Sequence, residues 1–101
     1  MATTFTLFSD PISSPSAARN MSIDFTDALQ AGESVSTQTV VSPDTDSLTI
    51  SSISSEAAIV YFTMTTGSTE IDMSVVIDVN VTGSFGNSEH WKVLVPIVPY
   101  L

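Results

Sequence analysis

The chain has 101 residues, eleven acids against two bases, and no cysteine. A net charge of −9 argues against direct nucleic-acid binding, because such a chain repels phosphate backbones. Without cysteine there are no disulfides and no thiolate chemistry, and no apolar run reaches the length that spans a bilayer.

This length suits one domain that buries roughly two-thirds of its unfolded surface. Nearly a third of the residues are Ser or Thr, and Val and Ile dominate the apolar set. Such side chains are stiff at χ1 and suit a pleated surface, so the composition predicts an all-β domain. The opening residues, Met-Ala-Thr-Thr-Phe-Thr-Leu-Phe, lack a basic region and a long apolar core. They do not read as a signal peptide, and the simplest inference is a protein made and folded in a cytoplasm.

Residues 4–8 alternate and suit a short edge strand or an extended arm. Pro11 and Pro15, among small polar residues, mark the following stretch as loop. The reading is therefore an arm and linker over 1–16, a domain body over 17–96 and an apolar tail over 97–101. Met21, Ile23 and Phe25 share one strand face. The bend Thr26-Asp-Ala-Leu29 then turns Leu29 back under the sheet, and Ala31-Gly-Glu33 leads into a strand carrying Val35, Thr37, Thr39 and Val41. Ser42–Ser47 reads as a turn, Leu48 and Ile50 as a short strand, and Ser51–Glu56 as a polar connection.

Residues 57–64 are apolar on both faces, as in a central strand, and a turn around Gly67 follows. Ile71, Met73, Val75, Ile77, Val79 and Val81 alternate with polar residues, only Val76 breaking the pattern. A register slip would bury Asp72 and Asp78, so the register is fixed. Residues 82–88 form a hairpin loop. The closing strand places Trp91, Val93 and Val95 on one face and His90 on the other, and Pro96 and Pro99 are expected to end its pairing. About seven short strands without helical periodicity predict a small antiparallel sandwich, with a small barrel as the alternative.

No reaction centre emerges. His90 is the sole histidine, too few ligands for zinc, and a serine–histidine–acid match is trivial in so Ser-rich a chain. Asp44 and Asp46, with Asp72 or Asp24, offer oxygens to calcium, but their spacing matches no calcium loop and turn aspartates are common. No metal and no cofactor is expected. Phe85 sits between glycines in a loop, either folding over the sandwich end or meeting a partner.

The run Met21-Ser-Ile-Asp-Phe-Thr-Asp-Ala-Leu29, then Ala31-Gly-Glu-Ser-Val35, resembles a family of immunoglobulin-like structural proteins of tailed bacteriophages, including fibre–tail adaptors. Gly67, the strand Ile71–Val81 and the closing strand to Val95 fit the end of the family pattern, so the likeness covers about residues 17–95. Phe25 stands where that family commonly has tryptophan, and its glycine-rich step before the long hairpin is reduced to Gly67. The resemblance implies an immunoglobulin-like sandwich and a virion structural protein without catalysis, made in the host cytoplasm.

Such a protein would join tail or neck components to fibres in several symmetric copies, touching other virion proteins of the tail, neck, fibre or capsid, and neither nucleic acid nor membrane. A capsid decoration protein is the second reading. A carbohydrate-binding or adhesive module, with Phe85 and Tyr61 as platforms, is the third. The expected partner-binding residues are Phe5, Leu7 and Phe8 in the first flank, Phe85 in the loop, and Ile97, Val98, Tyr100 and Leu101 in the last flank, since contiguous apolar surface marks binding sites. On this reading a chain cut to 17–96 folds but does not assemble.

Overall fold

The computed structural model describes residues 3–99, with the side chains of residues 3–6 and of Phe8 excepted. Among the described residues there is no helix and there are eight strands: β1 (Thr3–Phe8), β2 (Ile12–Ser13), β3 (Ala18–Asp24), β4 (Val35–Val41), β5 (Leu48–Glu56), β6 (Ile59–Thr66), β7 (Met73–Gly83) and β8 (Ser88–Val98). β1 and β2 both pair with β8, so they count as one interrupted strand and the total becomes seven.

Two sheets face each other. One has the order β1-β8-β7-β4, with β2 on β8 beyond the end of β1, and the other has the order β3-β6-β5. The chain changes sheet between β2 and β3, β3 and β4, β4 and β5, and β6 and β7. These crossings give the two three-strand blocks of an immunoglobulin-type sandwich.

The core lies between the sheets because alternation aims every second side chain inward. Val75, Ile77, Val79 and Val81 of β7 meet Val93, Val95 and Ile97 of β8, with Val60, Phe62 and Met64 of β6 opposite, all buried. Val76, on the other face, is 38% exposed. The expected inward run is shorter at its start: Ile71 precedes the strand and is half-buried, and Met73 is 41% exposed at the strand end.

The expected polar connection Ser51–Glu56 is instead the second half of β5. Its residues pair with β6, and the register shifts between Ser51 and Ser54, where Ser52 takes φ 54°. This bulge lies on a sheet edge with little to bury, so the strand carries no apolar alternation for a sequence reading to find.

The segment read as arm and linker supplies strands to the larger sheet. β1 pairs with β8 from Thr3↔Glu89 to Phe8↔Leu94, and Ile12 of β2 is 2% exposed in the core. Both pairings are parallel, a departure from the expected wholly antiparallel sandwich. Strands so distant in sequence are joined by no tight turn, so nothing in the connection imposes the antiparallel sense.

Ser14 is buried. Its N–H donates to the Val98 carbonyl at 2.8 Å, and its hydroxyl accepts from the Ile71 N–H at 2.9 Å. The Thr66 hydroxyl donates to the Ser13 carbonyl at 2.9 Å and accepts from the Ala17 N–H at 2.8 Å.

Pairing also continues through Pro96 to Val98, where an end was expected. The Leu94 and Val98 carbonyls accept from the Ser9 and Ser14 N–H groups. By alternation Pro96 therefore turns its missing N–H toward the same side, at the break between β1 and β2. No ladder bond is lost there.

Candidate functional site

One end of the sandwich is built by three connections: the bend between β3 and β4, the turn between β5 and β6, and the loop between β7 and β8. Backbone bonds tie them together. The Phe25 N–H donates to the Ala58 carbonyl at 2.8 Å, the Val35 N–H to Ala57 at 2.8 Å and the Ser84 N–H to Ser34 at 2.7 Å. The Ala28 and Leu29 N–H groups donate to the Phe25 carbonyl at 3.0 and 2.9 Å. That single tight turn drives Leu29 back into the core, where it is 7% exposed. Phe25 beside it is fully buried and meets Trp91 with ring centroids 4.4 Å apart at 49°. The Trp91 indole N–H donates to Glu89 Oε1 at 3.2 Å.

Glu33 is the polar centre of this end. It is 5% exposed, and its carboxylate accepts four N–H bonds. Oε1 accepts from the Gln30 backbone at 3.0 Å and from Asn87 Nδ2 at 2.8 Å. Oε2 accepts from the Phe85 backbone at 3.0 Å and the Asn87 backbone at 3.4 Å. Desolvation pushes the Glu33 carboxyl up, but the bonds from Asn87, Gln30 and Phe85 outweigh it and hold the group below its usual value. The loop passes so close that a Cβ at Gly83 would overlap Glu33 Oε2, and Gly86 takes φ +91° at the tip.

The result is an acid latch under a hairpin loop, and Phe85 stands on that loop 58% exposed. A large ring on a loop already held by three bonds to Glu33, two of them from its backbone, loses little entropy on docking, which is what an anchor residue needs.

The other expected contact residues separate from Phe85. Leu7 is half-buried against the core and lines an open groove of about 300 Å³ between β1 and β3, with Met21, Ile23, Trp91 and Val93. Phe5 and Phe8 lie on β1, their backbones opposite Trp91 and Leu94, and their side chains are outside the described residues. Ile97 is not a surface residue: it is 0% exposed, between Ile12 on β2 and Met73 on β7. Val98 is half-buried opposite Ser13, and Tyr100 and Leu101 lie outside the described residues. The sequence reading missed Glu33, noticing only its glycine-acid turn.

Asp44 accepts from the Ser47 N–H at 3.2 Å and the Ser47 hydroxyl at 2.8 Å, so it caps its own turn. His90 is half-buried, its Nε2 3.1 Å from Asp78 Oδ1, to which Lys92 also donates at 3.3 Å. The bond from His90 leads, against desolvation and with help from Lys92, in holding the Asp78 carboxyl below its usual value.

No curated protein matches the chain with significance. The family described as "Podophage GP4 fiber-tail adaptor protein gp77" matches residues 14–95, from the buried Ser14 through the Glu33 latch and the Phe85 loop to the core of β8. The chain thus belongs to this phage fibre–tail adaptor family, on an all-β sandwich.

Proposed function

We propose that this chain is a non-enzymatic joint of the virion that links tail or neck components to fibres, present in several symmetric copies and docked at one end through Phe85. The observation that carries this reading is the latched loop: an exposed aromatic ring on a backbone that a buried carboxylate holds in place. A joint needs two separated contact regions, and the body is elongated, 43 × 21 × 19 Å. β8 alone carries the chain about 33 Å from the Phe85 loop to Val98, at the rise of an extended strand. Val98, with Tyr100 and Leu101 after it in the chain, supplies the second region in this reading, and Phe5, Leu7 and Phe8 lie between the two regions along β1, opposite Trp91, Val93 and Leu94.

Particles assembled with Phe85→Ala test the proposal. The variant protein folds with an unchanged thermal midpoint, while particles lose the protein or the fibres beyond it. Normal incorporation and a normal fibre complement would overturn the docking role of Phe85.

A further inference from the structure

We propose that the open edge of β3 and the groove beside it take up an extended segment of another protein as an added strand, apolar where it faces the groove and acidic where it meets Arg19. This contact is separate from the Phe85 loop and does not rest on its docking role.

The two sheets end in four open strands, and three of them are blunted. β4 and β5 carry register shifts, between Val35 and Thr37 and between Ser51 and Ser54, and β1 gives way to β2 across Pro11. β3 has neither device and pairs with β6 residue for residue over its seven positions, from Ala18↔Thr65 to Asp24↔Ile59. Sheets use bulges and prolines to keep foreign strands off their edges, so β3 is the edge left able to accept one. At its two ends the Thr66 N–H donates to the Ala17 carbonyl and the Phe25 N–H to the Ala58 carbonyl. Alternation then turns the backbone groups of Arg19, Met21 and Ile23 toward β6, and those of Ala18, Asn20, Ser22 and Asp24 outward.

Beside this edge the groove is walled by Leu7, Met21 and Trp91, all half-buried, over Ile23 and Val93. An added strand sends every second side chain into the groove and completes their burial. Arg19 selects the strand. It lies on the same face of β3 as Met21 and Ile23, half-buried, and its Nη1 donates to the Asp10 carbonyl at 2.9 Å. The chain has eleven acids, yet among the described residues the ion pairs belong to Asp78, and Arg19 meets no carboxylate. A charge facing inward at an edge repels a wholly apolar strand, and a carboxylate on the incoming strand turns that barrier into a paired contact.

Register dictates the probe, in the antiparallel sense that is the more stable per residue. The peptide acetyl-Lys-Val-Thr-Val-Thr-Glu-Thr-amide sets its valines opposite Ile23 and Met21, its glutamate opposite Arg19 and its lysine opposite Asp24. Titration of the full chain with this peptide, followed by amide NMR, is expected to show saturable binding, with the Asn20, Ser22 and Asp24 amides moving most. Arg19→Glu is expected to weaken binding about fivefold or more, and to recover it with a peptide carrying lysine in place of the glutamate. Ser22→Pro removes an outward N–H, which an edge strand tolerates, and abolishes binding with an unchanged circular dichroism spectrum. Should it not fold, the two Arg19→Glu titrations decide alone.

Phe85→Ala binds the peptide as the wild type does, which separates this edge from the docking loop. No binding at millimolar peptide, changes centred on β4 or β5, or an Arg19→Glu chain that binds the glutamate peptide as tightly as the wild type overturns the proposal. So does self-association of the full chain through the β3 amides, which makes a second copy the occupant.

Discussion

Replacing Ile12 by alanine tests whether the first residues belong to the core or to a detachable arm. Ile12 is 2% exposed, on a strand of two residues that lies parallel to Ile97 and Val98. The substitution deletes three buried carbons, worth about 2.4 kcal/mol at about 0.8 kcal/mol each. Incomplete collapse around the gap raises the cost to about 3–4 kcal/mol. For a domain of this size that corresponds to a fall of roughly 12–24 °C in the thermal midpoint.

Urea titration is the cleaner assay: the midpoint should fall while the slope stays constant, since the unfolded surface hardly changes. Leu7→Ala, at a half-buried site, should cost about 1 kcal/mol or less. A chain cut to 17–96 loses Ile12, Ser14 and all of β1 together, and by this reasoning does not fold, the reverse of what the sequence alone led us to expect. A loss below about 0.5 kcal/mol for Ile12→Ala would refute the argument, because a side chain so deeply buried cannot be removed that cheaply unless the segment detaches.

Val75→Asp should abolish soluble protein, because it places an unpaired charge at a position 3% exposed, whereas Val76→Asp on the outer face should leave the fold intact. Glu33→Gln should leave the sheets in place but release the loop, seen as lost hydrogen-exchange protection at the Phe85 and Asn87 amides, since an amide turns a donor toward N–H groups that a carboxylate accepts. The folded-state pKa of Glu33 lies below its ordinary value of 4.5. Its stabilisation is therefore full above that value and fades as pH falls through the folded pKa. Loop protection in the wild type should follow that acid fall, and protection that stays flat with pH would sink the latch.

The core was legible along β7, where one face is buried and the other wet, but not along β4, where the register shift between Val35 and Thr37 turns Val40 inward and leaves Val41, grouped with Val35 in the sequence reading, 53% exposed. The alternation from Val75 to Val81 fixed inside and outside correctly, and the bend after Phe25 put Leu29 beneath the sheet as its spacing indicated. Legibility failed where a strand has no such contrast. The second half of β5 is a polar edge with a bulge, so it reads as loop. β2 has two residues, and its one core side chain lies among prolines and serines. Its partner is some eighty positions away, and periodicity carries no information about such pairings. Pro96 misled in the same way, while β8 does end just before Pro99: a proline breaks a ladder only if its nitrogen faces a partner, and at Pro96 the partner strand is itself interrupted.

The Phe85 end shows why a candidate site can be harder to read than the fold that carries it. Phe85 stood out because a ring between glycines has no obvious core position. What steadies it is Glu33, more than fifty positions earlier, and two of the three bonds from the loop to that acid come from backbone N–H groups, the third from the Asn87 side chain. Every loop has such groups, so the sequence of the loop cannot name its acceptor. Only the fold supplies it, by ending β7 and starting β4 side by side at a bulged register between Val35 and Thr37. A tight hairpin loop turns several N–H groups inward, and a carboxylate is the side chain that accepts four bonds without presenting a donor of its own. The acid thus holds the loop that displays the ring, and under the proposed docking role it acts through that loop.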